Sequence, residues 1–116
     1  MEPSIDFSYI RRISYMDDLL LKEMLQSWEL DVKERLTNME QTIFMDNTQN
    51  YYKIVHEIKT SFLIIGSGKG LKYCEVLIFN LSNGGTITQQ DVLNLKIIYK
   101  EIVEIISNQS YNQNLL

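Results

Sequence analysis

The chain holds a single histidine, His56, inside the run His56-Glu57-Ile58-Lys59-Thr60-Ser61-Phe62-Leu63-Ile64-Ile65-Gly66. The run reads as helix. At about 100° per residue, Ile54, Val55, Ile58, Phe62 and Ile65 fall roughly 160–260° around from the imidazole. The imidazole therefore faces away from the packing stripe. Lys53 and Lys59 stand three residues to either side of it, at the spacing where helical neighbours meet. A solvated surface residue is the ordinary explanation for a histidine in such a place. The alternative is a displayed nucleophile. An imidazole attacks in its neutral form, which predominates above about pH 6.5 for an unperturbed side chain. Flanking cations favour that form and can afterwards neutralise an anionic group delivered to the ring.

Other chemistries find less support. One histidine and one cysteine, Cys74, expected on different helices, do not make a zinc set. His56 has no acidic orienter at helical distance except Glu57, about 100° around the helix, so no catalytic triad assembles. Gly66-Ser67-Gly68-Lys69-Gly70 has the look of a phosphate cradle. A Walker loop, however, requires Gly, four residues, Gly-Lys and then Ser or Thr, whereas Lys69 is followed by Gly70. The dinucleotide fingerprint fails on the position of its third glycine, and no second strand completes a βαβ unit. An interhelical turn is the simpler reading. Trp28, Tyr51 and Tyr52 would suit base stacking, but Trp28 belongs to an apolar stripe and reads as core. Met16, Met24, Met39 and Met45 read as packing or docking residues rather than cofactor ligands.

The elements that must position His56 are helices. Proline occurs once, at Pro3, so nothing in the body of the chain interrupts a long helix. From Asp17, the residues Leu21, Leu25, Trp28, Val32, Leu36, Met39 and Ile43 recur at three and four, and Asp17 and Asp18 suit the positive end of a helix dipole. Asp46 with Gln49 offers a capping box for the next helix, which runs from about Thr48 to Ile65 and ends at Gly66-Ser67-Gly68. A third long helix carries Leu71, Cys74, Leu77, Ile78 and Leu81 on one side and ends at Ser82-Asn83-Gly84-Gly85. The last opens at Thr88 with Asp91 as cap partner and steps through Val92, Leu95, Tyr99, Ile102 and Ile106. Beyond it, from Ser107 onward, a frayed polar tail is expected. The fold expected is all-α: an up-down antiparallel four-helix bundle with a short additional N-terminal helix, ordered over about residues 5–108 of a single 1–116 domain.

Composition agrees. The 116 residues allow one core. At 45% apolar, the chain is too hydrophobic for disorder. A formal net charge of −4 argues against general affinity for nucleic acid. No aliphatic and aromatic run is longer than four residues, the length of Phe62 to Ile65, far too short to span a bilayer. The start, Met1-Glu2-Pro3-Ser4, lacks the charges and apolar core of a secretory signal. A soluble cytoplasmic monomer is expected.

The spacing of His56, Lys59 three on, the small Ser61 five on and the Ile65-Gly66 pair resembles the signature of histidine phosphotransfer (HPt) domains of bacterial two-component phosphorelays. Cys74 stands where that family often has a cysteine in the next helix, and Ile5-Asp6-Phe7-Ser8-Tyr9-Ile10 looks like its short lead-in helix. The family glycine four after the histidine is Thr60 here. The resemblance implies a phosphoryl carrier rather than an enzyme. His56 would be the phosphoacceptor, with Lys59 stabilising the phosphoryl group; Lys53 is added from helical spacing alone. Partners would be response-regulator receiver domains and a hybrid sensor histidine kinase. No cofactor would be its own, the magnesium being supplied by the receiver. Tyr52, Leu63 and Ile64 lie within roughly 80° of His56. With Thr60 and the lead-in residues Phe7 and Ile10, they form an expected docking patch. The rival expectation is a helical adaptor, a degenerate relative that binds receiver or kinase domains without transfer.

Overall fold

The computed structural model describes residues 5–42 and 48–111. Its five helices are α1 (Ser8–Ile13), α2 (Asp18–Gln41), α3 (Thr48–Ile65), α4 (Gly68–Ser82) and α5 (Gln89–Tyr111), and no strand occurs among the described residues. The architecture is the expected all-α bundle. The long helices pack as a ring, α2 on α3, α3 on α4, α4 on α5 and α5 back on α2, while α1 lies against α2 and α3. This is the neighbour order of an up-down bundle.

The apolar stripes pack as their spacing requires. Leu21, Leu25, Trp28, Val32, Leu36 and Met39 of α2 are buried. So are Ile54, Val55, Ile58, Phe62 and Ile65 of α3, Cys74, Leu77 and Leu81 of α4, and Val92, Leu95, Ile98, Ile102 and Ile106 of α5. Leu71, Ile78 and Tyr99 are half-buried. Burial of each large aliphatic side chain is worth roughly 1.5–3 kcal/mol, so a core of this size outweighs any helix-propensity term. Trp28 sits at the centre, its Nε1–H donating to the Ser61 carbonyl at 2.7 Å and its ring stacked on Tyr99 at 6.0 Å between centroids.

The caps follow the sequence closely. The Asp17 carboxylate accepts from the Leu20 amide at 3.0 Å. Thr88 and Asp91 bond reciprocally: the Thr88 amide donates to Asp91 Oδ2 at 3.0 Å and the Asp91 amide to Thr88 Oγ1 at 3.1 Å. The α3–α4 turn is tighter than expected. Gly66 alone takes a left-handed backbone (φ 85°), Ser67 caps α4 by accepting from the Gly70 amide at 3.0 Å, and Gly68 already belongs to α4. Two residues suffice because the Gly66 and Ser67 amides both return to the Phe62 carbonyl, at 3.0 and 2.9 Å.

Three expectations change. The lead-in helix is displaced towards the C-terminus, to Ser8–Ile13, because Asp6 accepts from the Ser8 amide at 3.0 Å and starts the helix there. The chain from Ser107 does not fray at once, since α5 continues to Tyr111; no glycine or proline stands there to stop it. Between α1 and α2, Tyr15 and Met16 both adopt left-handed backbone (φ 56° and 58°), which nothing in their residue types announces. Asp46 of the expected Asp46–Gln49 capping box, Ile43 and Met45 lie outside the described residues.

Candidate functional site

Helix α3 carries the site, and its amphipathic character sets the geometry. Because Val55 and Ile58 are wholly buried, His56 between them is turned outward and is exposed. The Tyr52 ring, one turn earlier, lies against the imidazole with centroids 4.7 Å apart and planes tilted by 55°. That contact restrains the ring without enclosing it, and Tyr52 itself remains 39% exposed.

The two lysines differ. Lys53 is exposed, one turn before His56. Lys59, one turn after, is half-buried at the α3–α4 seam, and its Nζ lies 3.9 Å from Glu75 Oε2 of α4. The sequence does not single out Glu75, since which α4 residue faces Lys59 depends on how two helices align and not on the pattern within either. Glu57 points elsewhere, as its position on the helix requires, and pairs with Arg35 of α2. Burial alone would lower the Arg35 pKa, but Asp31 at 3.0 Å and Glu57 together raise it, so this cation is committed to its carboxylates.

Thr60 is exposed, and its hydroxyl donates to the His56 carbonyl at 3.1 Å. The hydroxyl is thus spent along its own helix. Ser61 does the same towards the Glu57 carbonyl at 3.2 Å. Of the expected docking residues, Leu63 is 59% exposed and shares the outward side with His56 and Tyr52. Ile64 and Phe7 are half-buried and pack on the core. Ile10 is a correction: at 1% exposure it is core, sealed between α1 and the bundle, and offers nothing to a partner. In so short a helix the side that faces the bundle takes its only buried residue.

Gly66 is structural in a way that its φ alone does not convey. The Asp6 amide donates to the Gly66 carbonyl at 3.0 Å, and a Cβ at residue 66 would stand 1.8 Å from the Asp6 carbonyl oxygen. The lead-in segment is thereby fixed over the end of α3. A cleft of about 350 Å³ opens beside this junction, between Tyr9 and Arg12 of α1 and Leu63 and Leu71 of the α3–α4 hairpin. Arg12 lies 5.8 Å from the centre of the Tyr9 ring.

Cys74 takes no part in surface chemistry: it is wholly buried, and burial pushes its thiol up to about 12. Among the described residues, no group of three or more His, Cys, Asp or Glu side chains is placed to hold a metal ion. No helix among them is long and apolar enough to cross a membrane. The site therefore consists of an accessible imidazole on a rigid helix, braced by an aromatic ring and flanked by two cations, one of them shared with a carboxylate. It offers a nucleophile and charge compensation, and among the described residues the ring contact recorded for the imidazole is that of Tyr52. No family model matches this chain, and neither does any curated protein or solved structure.

Proposed function

We propose that this chain is a histidine phosphotransfer carrier. It would accept a phosphoryl group on His56 from the phospho-aspartate of a response-regulator receiver and relay it to another receiver. The observation that carries the reading is the outward imidazole of His56, held against Tyr52 with Lys59 one turn on. Phosphoryl transfer asks for in-line access and charge compensation more than for covalent machinery. An imidazole nitrogen forms its bond to phosphorus as the P–O bond to the donor aspartate breaks. The electron pair of that bond leaves with the aspartate carboxylate, and the ring proton stays on the other nitrogen until it is released to water. Lys59 and Lys53 then offset the charge on the phosphoryl oxygens. The receiver supplies the acidic residues and magnesium, so the chain is a substrate of its partners and not an enzyme. It works as a cytoplasmic monomer, with Leu63, Tyr52 and the neighbouring α1 surface as the docking side for receivers and for the receiver of a hybrid kinase.

The adaptor reading retains one specific support, Thr60, whose branched side chain borders the approach to His56 where the resembling family has glycine. Incubation with a panel of phosphorylated receivers separates the two. Transfer gives an acid-labile, base-stable label on this chain that disappears in His56→Gln. Receiver binding without label supports the adaptor, and label retained in His56→Gln refutes the carrier.

A further inference from the structure

Among the described residues, Lys59 is the one cation beside His56 that is paired with an acid, and the pair is loose. Its 3.9 Å separation exceeds a hydrogen-bonded contact, with the Lys59 side chain 34% exposed and that of Glu75 53% exposed. The helices beneath are not loose. Gly70 of α4 lies so close to α3 that a Cβ there would sit 2.5 Å from the Phe62 ring, and the two-residue turn fixes the register. The backbone of Glu75 is therefore held at one place beside the seam, while the flexible Lys59 side chain can reach either the carboxylate or a group on His56, which lies one turn away on the same side of α3.

We infer that Glu75 is a positioning residue that competes with the phosphoryl group for Lys59, making the phosphohistidine a readily discharged intermediate and not a store. This rests on the carrier reading above. Before transfer, Lys53 and Lys59 set two positive charges near the imidazole, and Glu75 cancels one of them. A phosphoryl group arrives with close to two negative charges at neutral pH. With Glu75 present, Lys59 divides its time between two anions, and the phosphoryl group is left short of one counter-charge. Neutralising Glu75 frees Lys59 for the phosphoryl oxygens and stabilises the loaded form. For one partly exposed charge acting on a doubly charged group across a helix seam, the expected effect is about three- to tenfold.

The test loads the intact protein with phosphoramidate, a small donor that makes loading independent of any receiver. The imidazole–phosphorus bond forms as the donor P–N bond breaks and ammonia leaves. Decay of the phosphohistidine is then followed by ³¹P NMR in the wild type, Glu75→Gln, Lys59→Met and the double variant. The expected result is decay about three- to tenfold slower in Glu75→Gln, with no such slowing when Glu75→Gln is added to Lys59→Met. An unchanged urea midpoint for the exposed, isosteric Glu75→Gln excludes a folding effect. Equal decay of wild type and Glu75→Gln overturns the role of Glu75 and leaves the carrier reading to its receiver test. Slower decay that persists without Lys59 shows direct repulsion and overturns the positioning role. Failure of wild-type His56 to load from phosphoramidate overturns the inference about the loaded form and leaves the carrier reading to its receiver test.

Discussion

Replacing Gly66 by alanine tests whether the lead-in segment is a working part of the fold. Two costs combine at this position. A left-handed backbone penalises any Cβ by about 1–2 kcal/mol, partly offset by roughly 0.4–1 kcal/mol from a stiffer unfolded chain. The new Cβ would also stand 1.8 Å from the Asp6 carbonyl oxygen, a backbone atom that cannot rotate aside. Relief requires the Asp6 strand of chain to lift. That breaks the Asp6 N–H to Gly66 bond, worth about 1 kcal/mol, and loosens the seat of Ile10, for about 1–2 kcal/mol more. The sum is about 3–4 kcal/mol, a large share of the roughly 5–15 kcal/mol that holds a domain of this kind together. Gly84 provides the internal control. Its φ of 86° is nearly the same as that of Gly66, but a Cβ there meets nothing within 4 Å, so Gly84→Ala should cost only the backbone part, about 1 kcal/mol. Urea unfolding of both variants, read by far-ultraviolet circular dichroism, measures the difference, which should be about 2–3 kcal/mol. Equal losses would show that the Asp6 segment carries no stability and would refute the account of Gly66.

Further outcomes are expected at the site and in the core. Lys59→Ala should slow acquisition of label from a phosphorylated receiver by tenfold or more with the unfolding midpoint nearly unchanged; unaltered kinetics would remove Lys59 from the site. Thr60→Gly should accelerate transfer by clearing the approach to His56 while costing about 0.3–0.5 kcal/mol of helix propensity in urea unfolding. Slower transfer would mean that the hydroxyl leaves the His56 carbonyl to serve the phosphoryl group. The Cys74 thiol, pushed up to about 12 by burial, should react with iodoacetamide at pH 8 at least a hundredfold more slowly in the native protein than in urea. Burial also raises the phenols of Tyr73 and Tyr99. All three groups favour their protonated forms when folded, so their contribution is complete below the unfolded values, near 9–10, and is lost as pH rises through the folded ones. Urea midpoints should therefore fall between pH 9 and 12, and a flat profile would contradict that sign.

The parts of this molecule legible in its sequence were those written within one helix. The phase of α3 was legible because five apolar residues share one side and the histidine lies opposite, and burial follows that phase residue by residue. The Thr88–Asp91 box was legible because both partners lie within four residues. What escaped depends on relations between elements. Ile10 looked available because a six-residue helix has too few positions to distinguish a docking side from a packing side. Glu75 escaped because its meeting with Lys59 requires the two-residue turn and the close approach at Gly70, neither of which fixes a partner until the helices are laid together. The Tyr15–Met16 turn escapes because its backbone is set by four backbone hydrogen bonds among residues 10–17 and not by glycine.

The seat of Trp28 gives the protein an optical property. It is the chain's sole tryptophan, and its indole N–H is bound to the carbonyl of Ser61, five residues after His56 on the same helix. Emission from an indole held in that way reports the contact between α2 and α3 directly, with no label to attach. Tyr99, stacked on the ring, and Phe62, tilted against it at 6.4 Å, shield it from water and from collisional quenchers such as iodide. Its colour should stay constant while groups come and go at the surface imidazole and should shift to the red only when the α2–α3 seam parts, so a single spectrum distinguishes traffic at the site from loss of the scaffold that presents it.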